Sequence, residues 1–228
     1  MKISVALAAY NGEKYIKEQI ESILCQLSEN DEIIVSDDNP FKATKSVIDS
    51  IADPRIKYFA GEGKGVVRNF ENAINRCSGD VIFLADQDDV WMPDKVSSML
   101  AEFEKGADVI LHDACVTDAE LNTTEPSYFA VHGSGASFSK NLLRNTFVGC
   151  CMAFTKEIAS ECIPFPGDIA MHDWWIALAS IKRGRKVVIL NKPLILWRRH
   201  GENVTGSATS IKQKIRWRIN MISSLKKI

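Results

Sequence analysis

Three carboxylates crowd the segment Asp86-Gln87-Asp88-Asp89, directly after the apolar run Val81-Ile82-Phe83-Leu84-Ala85. Like charges so close repel one another, and burial raises their pKa values unless a cation compensates. A hard divalent ion such as Mg²⁺ or Mn²⁺ suits oxygen ligands and commonly bridges them to phosphates. If the apolar run is a strand, Asp86 and Asp88 point to one side, because the side-chain period is two. Taken alone, the cluster fits a solvated acidic turn equally well.

Two more apolar runs end in polar clusters: Tyr10-Asn11 after residues 3–9, and Asp37-Asp38 after residues 33–36. Asp173, in Met171-His172-Asp173-Trp174-Trp175, opens a helical segment. An acid there is favoured by capping and by the helix dipole, and is also placed to accept a proton. The tandem Trp174 and Trp175 divide, on expectation, between core packing and the wall of a pocket. His200 lies in Trp197-Arg198-Arg199-His200-Gly201, where a lone histidine is ordinarily structural.

The elements that must position these groups alternate in type. Strands are expected at 3–9, 33–36, 56–59 and 81–85, with helices at 13–27, 44–51 and from about 66 to 76. Strand–helix alternation implies a parallel sheet covered on both faces, which binds ligands beyond the carboxyl ends of its strands. The polar clusters converge there. Further on, the pattern predicts a helix at 94–105, a strand at 109–111, a polar loop at 117–137 and a strand-like run at 147–154. A helix at 173–181 and short strands at 187–190 and 194–197 follow.

The chain has 228 residues, 46% of them hydrophobic, and a formal net charge of −1. That composition belongs to a globular protein and excludes global disorder. Near-neutrality argues against a dedicated nucleic-acid binder, and no apolar run is long enough to span a bilayer. Cys25, Cys77, Cys115, Cys150, Cys151 and Cys162 form no C-x-x-C pair, so free thiols in a reducing, cytoplasmic compartment are expected.

Leu84-Ala85-Asp86-Gln87-Asp88-Asp89-Val90-Trp91-Met92-Pro93-Asp94-Lys95 resembles the D-x-D segment of family 2 glycosyltransferases, especially the rhamnosyltransferase-like branch. The resemblance runs from Val5 to about Val204. It includes Ala8-Ala9-Tyr10-Asn11-Gly12, Asp37-Asp38, Gly65-Val66-Val67-Arg68-Asn69-Phe70 and Gly149-Cys150-Cys151-Met152-Ala153. His172-Asp173-Trp174-Trp175 and Arg198-Arg199-His200-Gly201 complete it. It implies an α/β, GT-A (Rossmann-like nucleotide-binding) fold, with a mostly parallel central sheet covered by helices and a C-terminal helix. It also implies sugar transfer from a nucleotide-diphosphate sugar, usually with inversion, using Mn²⁺ or Mg²⁺.

By the same resemblance, Asp38 would hydrogen-bond the base and Tyr10 would shape the nucleotide pocket. Asp86 would face the ribose or sugar, while Asp88 would hold the metal with help from His200. Arg68 and Asn69 would lie near the donor, and Asp113 would touch its sugar. Asp173 would be the base, preceded by His172 where many relatives have Glu. Arg198 or Arg199 would meet the charge on the leaving phosphate. Asp37-Asp38-Asn39-Pro40 departs from the usual Asp-Asp-Gly-Ser; both acids stay and the turn changes. The branch suggests rhamnose as donor sugar, and a glycan or lipid-linked acceptor in surface polysaccharide synthesis. A nucleotide-sugar-binding or scaffold protein without turnover is the alternative.

Residues 1–206 are expected to form the catalytic domain and residues 207–228 a basic amphipathic helix. That tail holds six basic residues and no acid, so the body before it carries −7. Ile211, Ile215, Ile219 and Ile222 recur at helical spacing beside Trp217 and Met221. Such a helix fits docking at the inner face of the plasma membrane, and fits equally a helix packed on the acidic body.

Overall fold

The computed structural model describes residues 1–41, 43–167, 169–201, 203 and 210–228. The first strand, β1 (Ile3–Ala9), is buried at all seven positions. A central parallel strand with helices over both faces has no solvent side, which explains its unbroken apolar run. Then come α1 (Ile16–Leu24), β2 (Glu32–Asp37), α2 (Thr44–Ile51), β3 (Ile56–Ala60), α3 (Val66–Ile74) and β4 (Val81–Asp86). After these lie β5 (Val90–Trp91), α4 (Lys95–Glu104), β6 (Val109–Thr117), β7 (Thr123–Glu125), α5 (Tyr128–His132) and α6 (Phe138–Leu143). A 3₁₀ turn at Gly149–Cys151 leads into β8 (Met152–Thr155), α7 (Lys156–Cys162), α8 (His172–Lys182), β9 (Val187–Arg198) and α9 (Ile211–Leu225).

Among the described residues the strands form one sheet in the order β3-β2-β1-β4-β8-β6-β9-β5, with β7 paired to β6. β3, β2, β1 and β4 are mutually parallel, as are β6 and β9. β8 enters antiparallel between β4 and β6. The order reverses at β1, whose neighbours are β2 on one side and β4 on the other. That reversal opens the crevice where such sheets bind ligands.

Side chains alternate between two cores. Val5 and Leu7 of β1 pack with Ile16, Ile20, Ile23 and Met99 on one face. Ala6 and Ala8 pack on the other face with Phe70, Leu84, Phe154, Trp174 and Trp175.

Several boundaries differ from expectation, each for a local reason. The polar segment 117–137 contains β7 and α5, because β6 continues to Thr117 and offers an edge. The two short strands at 187–190 and 194–197 are one strand, β9, whose pairing with β6 shifts register around Asp113. α6 and α7 were too short to give a clear helical period. All six cysteines are free thiols; Cys25 is exposed and four are buried.

Candidate active site

A cleft of ≈ 960 Å³ lies over the carboxyl ends of β1, β2 and β4. At one end, Asp38 follows β2. Its carboxylate accepts hydrogen bonds from the backbone N–H groups of Gly63 (3.2 Å) and Gly65 (2.7 Å). Both glycines have positive φ, +67° and +85°, which a β-carbon would strain. The glycine loop therefore wraps the acid, leaving Asp38 and the exposed ring of Tyr10 on the cleft wall.

Tyr10 is also tied to the acidic segment. Its N–H donates to Gln87 Oε1 (2.8 Å), and Gln87 Nε2 donates back to the Tyr10 carbonyl (2.9 Å). A β-carbon on Gly12 would lie 2.3 Å from Gln87 Oε1, so only glycine permits this clamp. Asn69, near the start of α3, donates Nδ2 to the Ala9 carbonyl at 2.9 Å and lines the same cleft.

Asp86 is the last residue of β4, and Asp88 follows two residues later on the cleft wall. Asp88 Oδ2 lies 2.8 Å from His200 Nε2 and accepts from Asn203 Nδ2 at 3.0 Å. Asp86 is pushed up to about 7, chiefly by desolvation, then by the charges of Asp88 and Asp173. Asp89 is fully buried and is also raised by desolvation; its Oδ1 accepts the Arg198 N–H at 3.1 Å. Its Oδ2 has no hydrogen-bond partner among the described residues.

Beneath this cluster lies Lys95, fully buried, with Nζ donating to the Cys150 carbonyl (2.7 Å) and 4.1 Å from the Trp91 ring centroid. Burial lowers its pKa to about 8, against the raising influence of Asp89 and Asp86 nearby. A cation left in an apolar interior is costly unless opposite charges face it. Here the Cys150 carbonyl and the Trp91 ring face it.

Across the cleft, Asp173 sits in the first turn of α8 and is buried. Its Oδ1 accepts the Trp174 N–H at 2.6 Å. Burial raises its pKa to about 7, against smaller lowering hydrogen bonds from Trp174 and Asn145. A carboxylate titrating there can accept a proton near neutral pH. His172 beside it stacks on Phe70 with ring centroids 4.0 Å apart, and burial lowers its pKa to about 3. It is therefore neutral. Gly149 presses on it: a β-carbon there would lie 2.9 Å from Nε2.

Tyr10, Asp38, Asn69, Asp86, Asp88, His172 and Asp173 thus share one cleft, with His200 bonded to Asp88 at its edge. Six residues expected at the site do not line it: Trp174, Trp175, Asp113, Arg68, Arg198 and Arg199. Trp174 and Trp175 are both core: Trp174 Nε1 donates to the Asn141 carbonyl and Trp175 Nε1 to that of Cys162. α8 is buried from His172 to Ser180, so neither ring is left for a pocket wall. Trp197 lines the cleft instead.

Asp113 accepts from the N–H groups of Ala114 and Phe129 and from the Ser127 hydroxyl, so its carboxylate anchors the start of α5. Arg68 pairs with Glu71 and donates to the Phe165 carbonyl, away from the lining. Arg199 lies over the Trp197 ring at 4.8 Å. Arg198 is buried by Glu18 and the carbonyls of Asp88 and Ala119. No Lys or Arg lines the cleft among the described residues.

Gln87, Lys95 and Asn203 escaped the sequence reading. Gln87 stood inside the acidic motif as a spacer. Lys95 carried no signal, since a lysine at a helix start reads as solvent-exposed. Asn203 lies only three residues beyond His200, and that proximity was the available clue.

Oxygen and imidazole donors 2.8 Å apart suit a divalent ion such as Mn²⁺, so Asp88 and His200 fit the expected metal. Asp86, Asp89 and Cys150 form a second, deeper group with ligand atoms within 4.8 Å of one another.

A family model described as Glycosyl transferase family 2 matches residues 4–163. A dTDP-rhamnosyl transferase, RfbG, of Shigella flexneri is 27% identical over 91% of this chain and 76% of its own. A UDP-Glc:α-D-GlcNAc-diphosphoundecaprenol β-1,3-glucosyltransferase, WfgD, of Escherichia coli is 26% identical over 79% of this chain and 70% of its own. Among solved structures, S. aureus TarS 1–349 in complex with UDP-GlcNAc superposes with a TM-score of 0.71 at 18% identity. It covers 92% of this chain, which spans only 62% of that one. Glucosyl-3-phosphoglycerate synthase of Mycobacterium tuberculosis, with Mn²⁺, UDP and glucosyl-3-phosphoglycerate, gives 0.68 at 17% identity, covering 99% of this chain and 80% of its own.

Proposed function

The chain belongs to glycosyl transferase family 2, is a glycosyltransferase and has the GT-A fold; from that premise we propose a metal-dependent, inverting transfer. The donor is a nucleotide-diphosphate sugar, with dTDP-rhamnose the favoured candidate because RfbG is a dTDP-rhamnosyl transferase. The acceptor is a glycan or lipid-linked glycan of surface polysaccharide synthesis. The diphosphoundecaprenol-linked substrate named for WfgD supports that choice. The catalytic unit is residues 1–206, and residues 207–228 bring it to the inner face of the plasma membrane.

One observation carries this reading: Asp38, the pair Asp86 and Asp88, and Asp173 come from three separate chain segments to a single cleft. Asp38 and Tyr10 hold the nucleoside end. Asp86 orients the ribose or sugar. Asp88 and His200 hold the divalent ion, whose chemistry when bound is to neutralise charge on the leaving diphosphate. Among the described residues no Lys or Arg lines the cleft to share that task. Asp173, raised to about 7 by burial, takes the proton from the acceptor hydroxyl as its oxygen attacks the anomeric carbon. Buried His172 and Phe70 fix the start of α8 and exclude water around the acid.

A thermal-shift screen of nucleotide sugars with Mn²⁺ tests the reading, because a ligand bound only by the folded state raises the melting temperature. Stabilisation by one nucleotide sugar, dependent on the ion, is expected. No stabilisation by any of them contradicts it.

A further inference from the structure

The C-terminal helix α9 has two apolar flanks, and among the described residues only one is covered. Met221 and Leu225 are buried in the core that also contains α8, with Trp217 packed against it. Lys182 Nζ donates to the Leu225 carbonyl (2.5 Å), and Arg218 Nε donates to that of Leu143 (2.7 Å). The helix is thereby fixed to the body. Trp217 and Met221, grouped in the sequence with a membrane-facing stripe, are on the inner side.

The other flank is bare. Ile211, Ile215, Ile219 and Ile222 are 78%, 51%, 60% and 39% exposed. At 3.6 residues per turn, these four fall within about a quarter of the helix circumference. Leu143, whose carbonyl holds Arg218, adds a fifth large apolar side chain, 67% exposed. Lys212, Lys214, Arg216, Lys226 and Lys227 are exposed around the stripe, and no acid lies anywhere in residues 207–228.

We infer that the isoleucine stripe of α9, with Leu143 beside it, is a docking surface for an anionic lipid bilayer. The inference deepens the proposed placement of the enzyme at a membrane and rests on that reading. Apolar side chains entering the acyl boundary while flanking cations meet anionic headgroups is how interfacial helices bind. Charge selects this occupant over a second copy of the chain, since joining two stripes would set one basic tail against another. Because the opposite flank is packed on the body, docking would hold the catalytic cleft in one orientation to the lipid surface, unlike a helix on a free tether.

Co-sedimentation of the whole chain with vesicles tests the inference without requiring turnover. Vesicles rich in phosphatidylglycerol should bind it at low ionic strength, and vesicles of phosphatidylcholine alone about tenfold or more weakly. Ile215→Glu with Ile219→Glu should weaken binding by at least about tenfold while leaving the melting temperature and the nucleotide-sugar thermal shift unchanged. Should that pair fold poorly, Lys212→Gln with Arg216→Gln supplies an independent arm and should cut the anionic-lipid preference. The inference is overturned if the wild-type chain stays in the supernatant, if anionic and neutral vesicles bind alike, or if both paired variants bind like wild type. It is equally overturned if sedimentation velocity shows a dimer that the isoleucine variant dissolves while vesicles fail to bind. Vesicle binding without any nucleotide-sugar stabilisation would instead sink the transferase reading alone.

Discussion

Asp88 Oδ2 and His200 Nε2 lie 2.8 Å apart although 112 residues separate them in the chain. The contact joins the turn after β4 to the end of β9, so it forms only once the second half of the sheet has folded. Asn203 reinforces it, bonding the same carboxylate oxygen at 3.0 Å. Two donors converging from opposite ends of the fold are what a metal-binding pair requires.

Replacing His200 by Ala should leave the fold intact, because the side chain is at the cleft edge and outside both cores. Affinity for Mn²⁺ should fall by at least about 10- to 100-fold, the loss already seen when a residue that only supports a metal ligand is removed. Calorimetric titration with Mn²⁺ alone measures this without a substrate. An unchanged affinity would remove His200 from the metal shell.

Asp173→Asn keeps the shape and the hydrogen bond from the Trp174 N–H but removes proton-accepting capacity. Turnover should drop by about 10²- to 10⁴-fold with donor binding preserved. Initial rates and a thermal shift on the same preparation separate the two effects.

The raised pKa of Asp173 carries a pH signature. With the base titrating at about 7, kcat/KM should fall about tenfold per pH unit below that point. The stability consequence has the opposite sense. Between roughly pH 4, the ordinary carboxylate value, and about 7, the folded protein holds a proton that the unfolded chain has released, so stability declines as pH rises through that window. Melting temperatures across it should fall more steeply for wild type than for Asp173→Asn.

Asp113 offers a control on the site boundary. Its carboxylate anchors Phe129, Ser127 and Ala114 and does not line the cleft. Asp113→Ala should cost about 1–3 kcal/mol of stability by stranding buried donors, without altering the preference among nucleotide sugars. Denaturant melts and the nucleotide-sugar screen together check both halves.

Much of this site was legible in the sequence because it sits at strand ends. Tyr10 and Asp86 directly terminate apolar runs and Asp38 follows one by a single residue, and a parallel sheet sends all such termini to one edge. Asp173 was legible as a helix-start acid. What stayed hidden depended on burial direction. Trp174 and Trp175 read as half pocket because a helical stretch with two tryptophans does not reveal that all its faces are covered. Asp113 read as a sugar ligand because its partners, Ser127 and Phe129, lie across a polar segment that looked unstructured. Lys95 showed nothing of its role, since the carbonyl that its buried ammonium meets, that of Cys150, lies 55 residues away. The C-terminal helix left two readings open, and its packing accommodates both: one flank on the body, one flank bare.

The most direct test of the account is release of nucleoside diphosphate from nucleotide sugars in the presence of Mn²⁺, compared between wild type and Asp88→Ala. The account predicts that wild type cleaves one donor, that a chelator stops it, and that the variant releases none above background. Undiminished release by Asp88→Ala, or release indifferent to the chelator, would contradict it.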